Sequence, residues 1–245
     1  MKRGLGAALL RLFTVQGSWN YERLIGTGVG VATEPLLREL GAPDSPAYRA
    51  ALARSARFFN SHPYLAGVAV GATARAEIDG VPPVMIERLR AALTGPLGSV
   101  GDRLVWTGWL PLLSALALAG IARGAGVTAV IAFLAVYNAG HVALRWWGLR
   151  SGWALGPQVA VALQASWLRV AAAVVIPATA CALGFALPFV VQGAGIGFHG
   201  WARIALAGTA AGGFALLVWR PDLLSGLRLG LILVAAALVA GWVWR

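Results

Sequence analysis

The hydrophobic pattern changes character along the chain. In residues 3–14, Leu5, Ala8, Leu9, Leu12 and Phe13 share one helical face, while Arg3, Arg11 and Thr14 lie away from it. That spacing predicts an amphipathic helix, suited to the membrane interface or to packing on a partner. The next apolar stretches are short and interrupted. Leu24–Ala32 carries Gly26, Gly28 and Gly30, is expected to end at Glu34-Pro35, and is too short to span a bilayer. Leu36–Ala42 and Ala47–Phe59 read as short helices separated by Pro43 and Pro46. Residues 63–78 form another short apolar segment, closed by Glu77 and Asp79, and a short basic helix over Met85–Leu93 follows Pro82-Pro83.

Beyond Arg103 the pattern becomes regular. Leu104–Ala122, Ala125–Leu144, Leu168–Val190, Ala202–Trp219 and Leu227–Trp244 each supply about the 20 apolar residues of a spanning helix. Ser151–Trp167 is expected to run along the inner surface, broken at Gly156-Pro157. The predicted fold is an all-α integral membrane protein: an amphipathic N-terminal helix, short re-entrant or broken helices, then about five transmembrane helices. It divides into residues 1–62, 63–103 and 104–245 of a single domain. Short Gly/Pro-interrupted segments signal re-entrant hairpins, whose backbone needs protein or a water-filled cavity to satisfy it. Loops and helices outside the bilayer are the other reading of the same segments.

Composition agrees with the membrane reading. The chain of 245 residues is 59% hydrophobic and only 12% charged, against about 25% charged in soluble domains. All of its 11 tryptophans except Trp19 lie at or near the ends of the expected spans, as in the aromatic belts of bilayer interfaces. The net charge of +11 comes from scattered single arginines, with Lys2 the lone lysine. No Lys/Arg block tracks phosphates, so nucleic acid is not an expected partner. The arginine distribution places the N-terminus in the cytoplasm and the C-terminus outside. Cys181 is the single cysteine and His62, His141 and His199 lack ligand spacing, so no disulfide, metal or cofactor is expected. No cleavable signal peptide is expected, because Arg11 cuts the first apolar stretch.

Three polar islands interrupt this apolar chain: Gln16–Arg23, Phe58–Tyr64 and Gly95–Asp102. They hold no paired carboxylates, nucleophile elbow or zinc-protease motif. Gly98-Ser-Val-Gly-Asp102 has the look of a phosphate loop but lacks its lysine, and its glycines are better read as sites where helices approach closely or break. The amides and imidazole of Gln16, Asn20, Asn60 and His62 lie beside Trp19, Tyr21, Phe58, Phe59 and Tyr64. Amides pair with hydroxyls and rings stack on sugar faces, so the set suits a neutral polyhydroxylated ligand. Equally, the amides suit capping of broken helices, with Glu22, Arg23 and Asp102 in ion pairs.

The islands, in this order, resemble the IID subunit of the mannose–fructose–sorbose family of bacterial phosphoenolpyruvate:sugar phosphotransferase systems. Gln16, Ser18, Trp19, Asn20, Tyr21, Glu22 and Arg23 match the first family motif, Phe58 to Tyr64 the second, and Gly95 to Asp102 with Trp106 the third. Tyr137, Asn138, Arg145, Trp146 and Gly148 match a fourth. The resemblance implies a non-catalytic subunit of the bacterial cytoplasmic membrane that pairs with IIC to translocate a hexose, in a trimer of IIC–IID pairs. Phosphorylation would fall to a separate cytoplasmic IIAB protein. The substrate-contacting candidates are then Gln16, Asn20, Glu22, Asn60, His62 and Asp102, with Tyr21, Arg23, Pro63, Gly95, Pro96 and Gly101 as structural motif residues. Two positions depart from the family pattern: Ser55 stands for the usual histidine and Arg103 for the usual serine. The C-terminal half matches only by hydropathy. These departures set a transport-deficient scaffold or regulator of the phosphorelay beside the transporter reading.

Overall fold

The computed structural model describes residues 4–193 together with Gly208, Gly212 and Ala215. The expected spans Ala202–Trp219 and Leu227–Trp244 otherwise lie outside the described residues. Internal contacts divide the chain after Leu183. The first unit contains α1 (Leu5–Leu12), α2 (Gly26–Leu37), α3 (Pro46–Ser55), α4 (Ala66–Ile78) and α5 (Pro83–Gly101). A π-helix, Asp102–Trp109, then leads into α6 (Leu110–Ala122), followed by α7 (Val127–Leu155) and the single turn α8 (Ala160–Leu163). Helix α9 (Ser166–Gly193) begins in this unit and continues past its boundary. The all-helical membrane fold is as expected. Pro83–Ala122, Val127–Gln158 and Ala160–Leu187 are long and apolar enough to cross a bilayer.

Helix α1 forms where expected, with Leu5, Ala8 and Leu12 buried. Helix α3 begins at Pro46, which has no N–H to orphan, behind an N-cap in which Ser45 accepts from the Tyr48 N–H. Helix α3 stops at Ser55 and not at Phe59, and the expected helix Leu36–Ala42 is instead the end of α2 and a single 3-10 turn, Arg38–Leu40. Three further boundaries differ from the sequence expectation, each for a local reason. Helix α2 does not end at Glu34-Pro35 but carries Pro35 inside it. A proline within a helix leaves the carbonyl four residues back without its donor. Here that carbonyl is Val31 O, and Arg11 Nη1 of α1 donates to it at 2.9 Å. The same guanidinium pairs with Glu34, which also accepts from Tyr48 Oη at 2.7 Å and Arg38 Nε at 2.9 Å. Burial alone would raise the Glu34 carboxyl, but these three donors outweigh it and hold its pKa at about 2.

Helix α5 does not stop near Leu93 either. It runs through Gly95-Pro96, and the irregularity appears later as eight residues of π-helix. Wide π winding exposes carbonyls to outside donors, and Thr179 Oγ1 of α9 takes Gly108 O at 2.9 Å. Helix α7 continues 11 residues past the expected end at Leu144, reaching Leu155 before Gly156 (φ +49). The charge of Arg145 does not end it, because that guanidinium is buried against carbonyl oxygens, as described below.

The centre of the unit is α4, whose residues Ala66 to Ala74 are all buried. Its side chains are small, and its face toward α7 carries Gly67 and Gly71 opposite Gly148 and Gly152. A Cβ on Gly71 would lie 2.5 Å from Leu149 O and Trp153 N, and one on Gly152 would lie 2.2 Å from Val68 O. Paired small-xxx-small steps of this kind bring two backbones together and supply most of the packing between membrane helices. Arg54 and Glu77 tie α3 to α4 through two bonds of 2.9 and 2.6 Å, with both side chains largely buried.

This seam generates a contrast between two glycines. Gly71→Ala forces a methyl group onto backbone and is expected to cost about 2–3 kcal/mol. Gly98→Ala, in a helix with nothing within 4 Å, is expected to raise stability by about 0.5–1 kcal/mol from helix propensity. Thermal unfolding of the full chain in mild detergent measures both, and equal midpoints for the two variants would refute the seam.

Candidate functional site

The three islands meet in space, joined first through the main chain. Leu24 bridges to Asn20 on one side and to Phe59 on the other. Asn20 O accepts from the Leu24 N–H at 2.8 Å, Phe59 O accepts from the Ile25 N–H at 3.1 Å, and Arg23 O accepts from the Phe59 N–H at 3.2 Å. Leu24 takes φ +50, a left-handed conformation costing about 1–2 kcal/mol for a residue with a side chain. The bonds on both sides hold it there. Asn20 closes the loop from within: its Oδ1 accepts from the Glu22 and Arg23 N–H groups at 3.1 and 2.8 Å, and its Nδ2 donates to Ser18 O at 3.2 Å.

The second island then turns inward. His62 is 1% exposed, and a Cβ on Gly101 of the third island would lie 2.2 Å from the His62 Cβ. Only glycine permits that approach. The imidazole lies 4.9 Å from the rings of both Tyr64 and Trp106. Its Nδ1 accepts from the Tyr64 N–H at 3.2 Å, which places the neutral ring's proton on Nε2, where no partner meets it. Burial first, and the nearby Arg145 charge second, lower the His62 pKa from 6.5 to about 4.

Beneath this lies Arg145, 4% exposed on α7. Its Nη1 donates to Leu12 O at the end of α1 and to Pro63 O at 3.0 Å in the second island. The guanidinium stacks over Tyr64 at 4.8 Å and Phe13 at 5.3 Å. Tyr64 Oη and Tyr137 Oη are 2.6 Å apart, and His141 stacks on Tyr64 at 4.7 Å. A second buried arginine, Arg90, donates to Arg57 O at 3.0 Å and lies over Phe59 at 5.2 Å, holding the entry to the same island. No ion pair among the described residues involves either arginine.

The sequence candidates therefore separate. His62 is enclosed with Pro63 and Gly101. Gln16, Asn20, Glu22, Asn60 and Asp102 are exposed, with Tyr21 90% and Trp19 47% exposed beside them. Gly95 and Pro96 lie on an open face of α5. Arg23 is 4.0 Å from Glu22, and Arg103 forms no ion pair with Asp102 among the described residues. Adjacent helical positions point apart. Ser55 is buried and donates to Leu52 O at 2.7 Å. Arg90, His141 and the structural part played by Arg145 escaped the sequence reading. A signal for the last was present: an arginine between two apolar stretches, in an unbroken helical pattern.

The spans, the apolar helical seam and the polar islands define a multi-pass membrane protein with an open amide and aromatic surface. A family model described as the PTS system mannose/fructose/sorbose family IID component matches residues 1–184, and the chain belongs to that family. It is similar to the mannose-specific EIID component of Escherichia coli (strain K12), 32% identical over 152 residues that cover 60% of this chain and 53% of the relative. The sorbose-specific EIID component of Klebsiella pneumoniae is 32% identical over 160 residues, 63% of this chain and 58% of that one. The fructose permease IID component of Bacillus subtilis is 28% identical over 163 residues, with 64% and 58% covered. The chain spans about half the length of the curated relatives it matches, 53% for the Escherichia coli protein. Among solved structures, the cryo-EM structure of the mannose transporter ManYZ with microcin E492 matches with a TM-score of 0.59 and 26% identity, over 74% of this chain and 68% of that one. A structure described only as a membrane protein matches with a TM-score of 0.66 and 26% identity over the same shares.

The buried imidazole gives the fold a pH dependence. His62 takes up a proton near pH 6.5 when unfolded and near pH 4 when folded. Stability is therefore undiminished above pH 6.5 and falls as pH drops through that window, by about 3 kcal/mol in full. Unfolding midpoints in detergent at pH 7.5 and 5 measure this. Loss of the same size in His62→Phe would assign the effect to another group.

Proposed function

We propose that the chain is the IID subunit of a sugar-translocating unit, paired with a IIC subunit in the bacterial cytoplasmic membrane. In this reading it helps to import a hexose that a cytoplasmic IIAB protein phosphorylates, and the assembly is a trimer of IIC–IID pairs with the N-terminus inside. The observation that carries it is the exposed surface formed by Gln16, Trp19, Asn20, Tyr21, Glu22, Phe58 and Asn60. Amides and rings at an ordered, main-chain-bridged junction are matched to hydroxyl groups and sugar faces. Among the described residues the side chains of Gln16, Phe58 and Asn60 meet no hydrogen-bond or ring partner, which leaves them open to a ligand or to a partner subunit. The names of the relatives, specific for mannose, sorbose and fructose, support a hexose or related polyol.

The chemistry assigned to this subunit is binding and positioning. Asn60 offers both a donor and an acceptor at the island's surface, whereas Asn20 spends its side chain on its own loop. The two amides therefore have different parts: Asn60 contacts the sugar or the IIC face around it, and Asn20 holds the shape of the first island.

Arg103 supports a second reading, a membrane scaffold that assembles without transporting. It places an exposed positive charge beside Asp102, where the family commonly has serine. Ser55 gives that reading no support, because its hydroxyl is satisfied inside α3.

The experiment is phosphoenolpyruvate-dependent uptake of labelled mannose, glucosamine, fructose and sorbose in cells lacking their own mannose-type system. The cells express this chain with IIC and IIAB from its own genome. Sugar phosphate is expected to accumulate only when this chain is present. Asn60→Ala is expected to cut the rate at least about tenfold, the loss of one or two hydrogen bonds in a desolvated site, while IIC still co-purifies. Normal uptake in Asn60→Ala counts against the assigned contact. Assembly without uptake of any of the four sugars favours the scaffold.

A further inference from the structure

Helix α7 has two working faces. Gly148 and Gly152 meet α4, and the neighbouring side, about a third of a turn round, carries Gly140, Ala143, Leu144 and Trp147. That second side closes only in part against its neighbours. With Leu104 and Trp109 of the π-helix and Trp167 and Ala171 of α9, it surrounds an apolar cavity of about 320 Å³. The volume lies at the lower end of the range for ligand pockets. Gly140 and Ala143 are too small to fill it. Trp109 of the π-helix reaches α7 at Gly140, where a Cβ would lie 3.0 Å from its Nε1, and so closes one end of the cavity. Trp147 and Trp167 meet edge to face at 4.8 Å, and Trp167 is 41% exposed, so the cavity reaches the surface between two belt tryptophans.

Gly140 to Trp147 spans about 10 Å of helix rise. Arg150 lies about one turn further on, toward the end of α7, on the same side as Ala143. It is exposed, no ion pair among the described residues involves it, and it is steadied over the Trp146 ring at 5.7 Å. An apolar slot along a spanning helix, ending at a free arginine at belt level, has the order of a phospholipid: hydrocarbon, then anionic headgroup. Water fits the slot poorly, because a water molecule needs two to four polar partners and this lining offers almost none. Basic positions at the ends of interhelical grooves recognise lipid phosphates.

We propose that this cavity is a binding site for an anionic phospholipid. One acyl chain lies between the π-helix, α7 and α9, and the headgroup sits on Arg150. The site is separate from the exposed amide surface and does not depend on which sugar, if any, is carried. Its consequence is structural: the acyl chain completes the packing around Trp109, and so supports the π-helix that follows the third island.

Native mass spectrometry tests this on the full chain, taken from nanodiscs containing equal amounts of phosphatidylglycerol and phosphatidylcholine. The wild-type chain is expected to retain phosphatidylglycerol about fivefold over phosphatidylcholine, the ratio that one interfacial arginine contributes. Arg150→Gln is expected to bring the ratio to about one without releasing lipid, and Ala143→Phe, which fills the slot, to abolish retention of both lipids. Arg169→Gln, an exposed arginine on the side of α9 away from Trp167 and Ala171, is expected to keep the fivefold ratio. Far-UV circular dichroism checks that each variant is folded. Equal retention of the two lipids by the wild type, or an unchanged preference in Arg150→Gln, overturns the headgroup assignment. Undiminished retention in folded Ala143→Phe overturns the cavity assignment. Expulsion of the lipid on assembly with IIC also overturns the proposal, because a partner helix then fills the slot.

Discussion

The buried guanidinium of Arg145 is the constraint on which the rest of the unit depends. Removing a charge from water costs several kcal/mol, and in most proteins a carboxylate compensates. Here carbonyl oxygens do so. Leu12 O is among the carbonyls that α1 leaves without a helical donor, at the end of the helix where a positive charge is favoured. Pro63 O belongs to the turn before α4, and two aromatic faces cover the plane of the cation. One side chain therefore fixes the end of α1, the start of α4 and the middle of α7 relative to one another. The islands inherit their geometry from that junction. His62 sits against Gly101 beside the pinned Pro63 turn, and the Leu24 bridge ties the first island to the second.

Arginine repeats this role at smaller scale. Arg11 supplies the donor that Pro35 lacks, and Arg90 holds the carbonyl at Arg57. In a chain with 9 acids against 20 basic residues, carbonyl groups are the abundant acceptors. The planar fork of guanidinium suits them, since it reaches two separate carbonyls at once.

This explains what the sequence allowed to be read and what it hid. Helices α1 and α9, and the start of α3 to within a residue, were legible because periodicity, an unbroken apolar run and the break at Pro46 reflect local causes. The three islands were legible as polar interruptions, and their order carried the family resemblance. The end of α2 was misplaced because its rescuing donor comes from 20 or more residues away in another helix. The length of α7 was underestimated for the same reason, as a charge reads as a helix end only while its partners are unseen. Exposure within the islands was hidden too. Asn20 and Asn60 are equivalent by residue type, but only three-dimensional placement shows one amide turned on its own loop and the other left open. The glycines were read as points of close approach or fracture. Gly101 makes such an approach, whereas Gly95 and Gly98 lie on an open helix face.

The glycine seam between α4 and α7 also has a mechanical meaning. Each backbone projects into steps cut in the other, at a spacing of four residues, so the two helices cannot slide axially without lifting apart. They form a keyed shaft rather than a sliding bearing. Because Arg145 fastens the end of α1 and the Pro63 turn to the same shaft, α1, α4 and α7 make one mechanical part, and the second polar island is mounted directly on it.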